Sequence, residues 1–359
     1  MATAQQTRPI DGEKLNALIG QAVQDMGAAL HAALIVIGDK LGFYRAMADG
    51  KSVTAAQLAE RTGTAERYVR EWLNANAASK YIEYHPESQT YSMTPEQAFI
   101  LGMDDTPVHL PGFFHMVASC MKDEEKLVET FRTGKGFGWH EHEKGLFEGC
   151  ERFFRPNYLA NLTTNWIPAL EGVEEKLKRG ARVADVGCGH GASTILMAKA
   201  YPASQFTGFD YHEASIQHAR RQAAAAGLAD RVNFEVAPAK NFPGKGYDLI
   251  AFFDCLHDMG DPAGAATHVR QALAPDGTWM VVEPFAGDDL SANLNPIGRI
   301  YYSASTMICV PASLAQEVGL GLGAQAGEAR IREVVTAGGF SHFRRAAETP
   351  FNLVFEARP

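Results

Sequence analysis

The sequence predicts an α/β protein: a seven-stranded, doubly wound sheet preceded by an all-helical region that carries a small hairpin. Apolar runs typical of strands alternate with helical stretches from residue 181 onward, which indicates a sheet covered by helices on both faces. A glycine-rich turn after the first run and a very short link between the last two runs support this fold. The runs lie at 181–186, 205–210, 231–236, 247–253, 278–283, 342–347 and 351–357.

The last two runs must pair as antiparallel neighbours. Only Glu348, Thr349 and Pro350 connect them, whereas a crossover between parallel strands needs about a dozen residues or more. The chain therefore predicts one antiparallel strand in an otherwise parallel sheet.

Composition is that of a globular protein without a polyanionic partner. The chain has 359 residues, of which 46% are hydrophobic and 21% charged, with a formal net charge of −9. This charge disfavours nucleic acid as a partner. No apolar run is long enough to span a bilayer and no secretory signal is visible, which predicts no membrane partner. The five scattered cysteines fit reduced thiols in a cytoplasmic protein.

The first 110 residues form a predicted helical and winged-helix domain. Residues 12–48 have helical periodicity, and within them 28–37 is apolar nearly all round, so we expect this helix to be buried at a homodimer interface. Helical stretches at 55–61 and 65–75, followed by a hairpin pattern, resemble a helix-turn-helix with a wing. In the second helix Arg67 and Arg70 are balanced by glutamates, which favours packing and dimerisation over DNA binding.

Residues 111–170 are predicted to be a helical connector rich in aromatic side chains. Such clusters are usually core, but this segment leads into the sheet, so part of it could line a substrate cavity. Phe153 and Trp166 are the candidates. Two histidines in the run 139–142 suggest a metal only weakly, because no third ligand is nearby, and we expect no metal site.

The glycine-rich turn has the pattern Asp185-x-Gly187-x-Gly189-x-Gly191 between a strand and a helix. Glycines at such a turn let a ligand approach the backbone, and the helix start offers free N–H groups, so a nucleotide-like cofactor is expected. The part that begins at Gly187 also fits the dinucleotide fingerprint. Asp210, which ends the next strand beside Tyr211, suits the ribose hydroxyls of either cofactor.

The acid at Asp185 and the third glycine at Gly191 resemble the glycine loop of class I S-adenosylmethionine (SAM) methyltransferases. The antiparallel last strand is also similar to the Rossmann-like sheet of that class. The resemblance implies that residues 171–359 bind SAM and release S-adenosylhomocysteine. The implied cofactor-binding residues are Asp185, Gly187, Gly189, Gly191, Asp210, Tyr211 and Asp254.

Ligands in such sheets bind beyond the carboxyl ends of the strands, where Asp254, His257 and Asp258 follow the fourth strand. The segment Leu256-His257-Asp258 with Asp261 resembles the "LHDW-x-D" segment of caffeate-type O-methyltransferases, whose histidine is the general base. Glu283, at the end of the fifth strand, resembles the acid that flanks that histidine. The family's tryptophan is Met259 here, which leaves the substrate class open.

Over nearly all of its length the chain is similar to bacterial winged-helix SAM methyltransferases, including mycobacterial ones. This implies methyl transfer to a small, partly hydrophobic acceptor, with His257 as base for a hydroxyl and Asp258 and Glu283 beside it. The insertion at about 290–328, with Tyr301 and Tyr302, is expected to form a lid on the acceptor. Two alternatives stay open: S-methylation of a thiol, and a transcription regulator that senses SAM.

Overall fold

The computed structural model of the chain describes residues 9–104 and 106–359, and these divide into two compact units between residues 118 and 119. Most of the predicted connector, 111–170, therefore belongs to the second unit. No helix among the described residues has the length and hydropathy needed to cross a membrane.

The first unit contains the predicted helix-turn-helix and two-stranded antiparallel wing. Thr54 precedes α3 and forms a capping box with Gln57. The Thr54 hydroxyl accepts from the backbone N–H of Gln57, and the Gln57 side chain accepts from the backbone N–H of Thr54. Gly63 then ends that helix in the left-handed conformation. The elements are α1 (Gly12–Lys40), α2 (Phe43–Met47), α3 (Ala55–Thr62), α4 (Glu66–Ala78), β1 (Glu83–His85), β2 (Thr90–Ser92) and α5 (Pro95–Leu101).

Much of the apolar surface of α1 is exposed. Its buried residues begin at His31, so the predicted apolar stretch 28–37 is only half buried: Ile35 is in the core while Leu30 and Ile37 are exposed. Nearer its start the helix exposes a continuous apolar stripe made of Leu15, Leu18, Ile19, Val23, Met26 and Leu30.

The second unit is built on the predicted seven-stranded sheet, whose order is β5-β4-β3-β6-β7-β9-β8. Only β9 runs antiparallel to its neighbours β7 and β8, which confirms the expectation drawn from the short link. The strands are β3 (Arg182–Val186), β4 (Gln205–Asp210), β5 (Val232–Val236), β6 (Tyr247–Phe253), β7 (Leu273–Pro284), β8 (His342–Glu348) and β9 (Asn352–Arg358).

Helices cover both faces of this sheet, so its central strands are buried on both sides and consist almost entirely of apolar residues. α6 (Pro111–Cys120) contains the boundary between the two units. The helices that lie wholly in the second unit are α7 (Glu124–Thr133), α8 (Gly145–Asn161), α9 (Val173–Arg179), α10 (Ala192–Ala200), α11 (Glu213–Ala225), α12 (Pro262–Ala272), α13 (Pro296–Ala304), α14 (Val310–Leu314) and α15 (Gly327–Ala337). Single π-helical turns at Leu162–Trp166 and Ser305–Cys309 follow α8 and α13.

The strand order reverses at β3, because β4 and β5 extend to one side of it and β6 and β7 to the other. A sheet of this kind binds ligands beyond the carboxyl ends of its strands at such a reversal. The residues that follow β3, β4, β6 and β7 therefore define the edge at which a site is expected.

Candidate cofactor and acceptor site

The glycine loop needs its three glycines for different reasons. Gly187, Gly189 and Gly191 all have positive φ, at 76°, 51° and 81°. A Cβ on Gly187 would lie 2.7 Å from Cys255 Sγ, and one on Gly191 would lie 2.6 Å from the Phe234 ring. A Cβ on Gly189 would meet nothing within 4 Å. The outer glycines thus permit close packing, and the middle one faces open space where a ligand can approach.

Asp185 is fully buried and fixes the start of the helix that follows the loop. Its Oδ2 accepts hydrogen bonds from the hydroxyls of Ser193 and Thr194, each at 2.6 Å. Burial raises the pKa of this carboxyl to about 6. Its Oδ1 is buried and has no hydrogen-bond partner, so it is an acceptor that a donor on a ligand would satisfy.

Asp210 ties the loop to the end of β4. Its Oδ2 accepts from Gly189 N at 3.0 Å, and its Oδ1 accepts from His212 N at 2.8 Å. Burial raises the pKa of Asp210. Each carboxylate oxygen has a second lone pair, so these bonds leave capacity for a ligand hydroxyl. Tyr211 is exposed next to it, with its ring edge-on to His140.

Asp254 follows β6 with a left-handed backbone, φ 50°, and both of its carboxylate oxygens are held by the protein. Oδ1 accepts from Asn352 Nδ2 at 2.8 Å and Oδ2 from the Tyr158 hydroxyl at 3.2 Å. Burial, followed by the nearby Glu283, raises the pKa of Asp254 to about 8. Asn157 in turn donates to Asn352 Oδ1, so a buried polar network joins α8, β6 and β9.

His257 lies in a single helical turn after β6, and the structure brings it together with Glu283 and Asp258. Its Nδ1 is 2.6 Å from Glu283 Oε2, and its Nε2 is 3.1 Å from Asp258 Oδ1. Glu283 Oε1 also accepts from Leu256 N at 3.1 Å. Burial alone would lower the pKa of His257, but the two carboxylates outweigh it and hold that pKa well above its usual value. The two carboxylates therefore favour the imidazolium form of His257.

Cys309 completes this group, which we call the His257 cluster: His257, Asp258, Glu283 and Cys309. The thiol sulfur lies within 4.8 Å of the ligand-type atoms of His257 and Asp258. Burial raises the pKa of Cys309 to about 12, so the thiol stays protonated.

A second group, formed by Glu151, His190 and His218, connects the glycine loop with α8 and α11. His190 Nδ1 and His218 Nε2 lie 2.7 and 3.6 Å from the same Glu151 oxygen. The two imidazole rings are stacked, with centroids 4.0 Å apart and an interplanar angle of 18°. A metal must lie in the plane of each ligating ring, and two nearly parallel stacked rings share no such point. The arrangement is therefore that of two stacked imidazole rings that face one carboxylate.

The predicted substrate-binding residues have different environments. Phe153 is half-buried on α8, and Tyr301 is buried and donates its hydroxyl to Phe351 O at 2.8 Å, next to the half-buried Tyr302. Trp166 corrects our expectation. It is fully buried in the core of the sheet domain, edge-on to Tyr158, at the end of the π turn that follows α8.

The predicted lid region meets a second covering segment, 136–147, that the sequence did not reveal. A Cβ on Gly136 would lie 1.9 Å from Pro311 O, so the two backbones are in direct contact. Farther along the segment, the Phe147 ring is 4.9 Å from that of His212, just after Asp210. Segment 136–147 and α14 therefore cover neighbouring parts of the sheet edge.

Tyr158 and Asn352 are site residues that sequence reasoning missed. Both hold Asp254, yet they are 96 and 98 residue positions from it. A tyrosine and an asparagine carry no motif by themselves, and only the topology of the sheet brings them to the end of β6.

Two family comparisons match separate parts of the chain. Residues 177–319 match the family described as "Methyltransferase domain", and residues 28–103 match the "Rv2258c-like winged HTH domain". The first contains the glycine loop and His257, and the second contains α3, α4 and the wing.

Curated relatives are similar over only part of the chain. The 27-O-demethylrifamycin SV methyltransferase of Amycolatopsis mediterranei is 32% identical over 121 residues, which are 33% of this chain and 44% of that protein. Norajmaline N-methyltransferase of Rauvolfia serpentina is 27% identical over 153 residues, 39% of this chain and 52% of that protein. The chain thus spans about half the length of the curated relatives it matches.

A solved structure is similar over the whole length of the chain. Human N-acetylserotonin methyltransferase in complex with SAM is similar with a TM-score of 0.70 and 15% identity, over 100% of this chain and 99% of that one. Residues 28–103 are therefore similar to the Rv2258c-like winged helix-turn-helix family and residues 177–319 to the methyltransferase domain family, and the chain shares the fold of that solved methyltransferase.

Proposed function

We propose that the protein is a SAM-dependent methyltransferase that acts on a small, partly hydrophobic acceptor. One arrangement carries the proposal. The glycine loop, open above Gly189, lies at the same sheet edge as the buried His257 cluster. A cofactor held on the loop and an acceptor held at His257 would then be neighbours, which is what group transfer between them requires.

The residues at this edge fit SAM. The unpaired Oδ1 of Asp185 suits a donor on an amino-acid moiety, and Asp210 has lone pairs left for ribose hydroxyls. Tyr211 and Asp254 flank these positions at the ends of β4 and β6. When bound, SAM supplies a methyl group on a sulfonium, which is already a good electrophile.

For a hydroxyl acceptor, His257 is the proposed base. As an imidazolium paired with two carboxylates it must first lose its Nε2 proton, and Asp258 at 3.1 Å is the nearest group to take it. The neutral Nε2 can then accept the acceptor's hydroxyl proton, while Glu283 holds Nδ1 and stabilises the cation that forms again. An alternative is a thiol acceptor, which is partly ionised at neutral pH and needs little help from a base.

A second candidate function is a SAM-sensing regulator that binds DNA through the winged helix. The side chains of α4 argue against it. Arg67 pairs with Glu71 and Arg70 with Glu66, both at 2.5 Å, so the helix offers no stripe of free cations for phosphates. We accordingly propose no nucleic acid partner. The five cysteines are all free thiols, which supports a cytoplasmic location.

We also propose that the protein is a homodimer through its first unit. The apolar stripe of α1 continues into an open groove of about 570 Å³ lined by Leu34, Ile37, Leu41, Tyr68 and Trp72. An exposed apolar surface of this extent marks an interaction site. A second copy of α1 offers an equally apolar surface for it.

A panel of phenol, catechol, thiol and carboxylate acceptors, assayed with methyl-labelled SAM, tests the proposed activity. Calorimetry with SAM and S-adenosylhomocysteine tests the cofactor separately. We expect both to bind and at least one hydroxyl acceptor to be labelled. Binding of NAD without binding of SAM or S-adenosylhomocysteine would refute the proposal.

A further inference from the structure

Asp123 and His142 form a buried pair that the proposed chemistry does not use. His142 Nδ1 lies 2.9 Å from Asp123 Oδ2, and the His142 side chain is fully buried. Lys126 Nζ lies 2.8 Å from Asp123 Oδ1, and Glu143 N donates to Oδ2 at 3.1 Å. Burial alone would raise the pKa of Asp123, but these bonds lower it. An ionised carboxylate only accepts, so Nδ1 must be the protonated nitrogen of His142.

The other nitrogen of His142 is an unpaired hydrogen-bond acceptor. Burial lowers the pKa of His142, and the opposing effect of Asp123 is smaller, so the ring is neutral and Nε2 carries a lone pair. Nε2 is buried and has no hydrogen-bond partner. Leaving such an atom unpaired costs about 1–3 kcal/mol, so we expect a hydrogen-bond donor to reach it.

His142 belongs to the segment that covers the sheet edge. Its ring packs against Phe137, at 4.5 Å between centroids, and against Trp139, at 5.9 Å. Through Gly136 the same segment contacts the backbone of Pro311, two residues after Cys309 of the His257 cluster. Nε2 therefore lies among aromatic rings in the neighbourhood of the His257 cluster.

We propose that His142 Nε2 accepts a hydrogen bond from a second donor group on the methyl acceptor. The acceptor is then a small aromatic molecule with an O–H or N–H besides the group that is methylated. His142 determines specificity, and Asp123 acts through it by fixing its tautomer. This inference rests on the proposed methyltransferase function.

Two replacements at His142 separate hydrogen bonding from packing. His142→Gln places an amide near the position of Nε2, while His142→Phe keeps a ring and removes the acceptor. The probes are catechol and phenol, compared by kcat/KM with labelled SAM. A site built to pair a substrate hydroxyl rejects the analogue without it by about ten-thousandfold or more.

We expect the wild type to prefer catechol by that margin and His142→Phe to lose the preference, mainly through a higher KM for catechol. His142→Gln should keep part of it, and SAM affinity should not change in either variant. An unchanged preference in His142→Phe would overturn the proposal.

Imidazole nitrogen NMR on histidine-labelled protein provides a readout that does not depend on turnover. We expect the Nδ1–H tautomer at neutral pH with an unprotonated Nε2 that shifts when catechol is added to the S-adenosylhomocysteine complex. An Nε2–H tautomer, or an Nε2 signal that catechol leaves unmoved, would refute the role of His142. Failure of SAM binding in the wild type would instead refute the proposed function.

Discussion

His257 and Glu283 share a 2.6 Å hydrogen bond between Nδ1 and Oε2, and each residue is only 3% exposed. Glu283 comes from the end of a central strand and also accepts from Leu256 N, so it is held from two directions. The carboxylate therefore fixes the ring orientation of His257 and directs Nε2 away from β7. A histidine oriented by a buried acid is the arrangement of a general base.

Replacement of His257 tests whether that base is used. His257→Ala should lower the turnover of a hydroxyl acceptor by about a hundred- to ten-thousand-fold, the usual effect of losing a general base. SAM affinity, measured by calorimetry, should stay nearly unchanged, because the glycine loop does not contact His257 in the described hydrogen bonds. If a thiol acceptor is turned over equally well by the variant, the base assignment is wrong while the methyltransferase proposal stands.

Glu283→Gln should move the pH dependence of turnover. The paired carboxylates raise the pKa of His257, so the wild-type rate should increase as pH rises through this raised pKa. Glutamine keeps the shape but removes one negative charge, so the increase should occur at lower pH, with a lower maximal rate. Initial rates across the pH range provide the check. Asp261→Asn is the control, because Asp261 caps α12, and a matching shift in that variant would argue against a specific effect of Glu283.

Gly189→Leu should abolish SAM binding without unfolding the protein. The side chain would enter the open space above the loop, where nothing lies within 4 Å. Gly227→Leu is a matched control, because Gly227 also has positive φ, 70°, and also has nothing within 4 Å. Both variants bear similar backbone strain, so calorimetry should show loss of SAM affinity in Gly189→Leu only. Equal affinities would place the cofactor elsewhere.

Acidic substitutions on α1 should dissociate the proposed dimer. Leu18 and Leu30 are 63% and 76% exposed, and glutamate at both positions would place charges in the apolar interface. Sedimentation should then give the chain mass of 39.0 kDa, in place of twice that value. Gln24→Glu adds one charge to the opposite, exposed face of the helix and should leave the dimer intact. A wild type that already sediments as a monomer would contradict the dimer.

The stability of the protein should fall as pH rises from about 4 toward 8 because of Asp254. Its folded pKa of about 8 exceeds the usual value of 3.8, so the folded state binds the extra proton throughout that window. Each rise in pH then favours the unfolded state, which releases that proton more readily. Asp254→Asn removes the titrating group, and the pH slope of its unfolding free energy in denaturant should be shallower. An identical slope would show that Asp254 is not protonated in the native state.

Local signals were enough to predict the sheet and the glycine loop. The three residues between β8 and β9 exclude a parallel crossover, and the glycines stand at the only strand-to-helix turn of that pattern in the sequence. The burial of Trp166 in the core could not be predicted, because aromatic content alone does not distinguish a core residue from one that lines a cavity. Trp166 ends a π turn, which the sequence did not indicate. The pairing of His142 with Asp123 could not be predicted either, since it joins residues 19 positions apart, on the two sides of α7 and the loop after it.

The hydrogen bond from Asn352 to Asp254 has a consequence for how the protein is made. Asn352 opens β9, which inserts between β7 and β8, although every other strand of the sheet precedes it in the chain. During synthesis the glycine loop, His257 and Glu283 leave the ribosome long before the residue that fixes Asp254. The nascent chain can therefore form much of the sheet while its reactive edge remains incomplete, and the site becomes competent only once translation has passed β9.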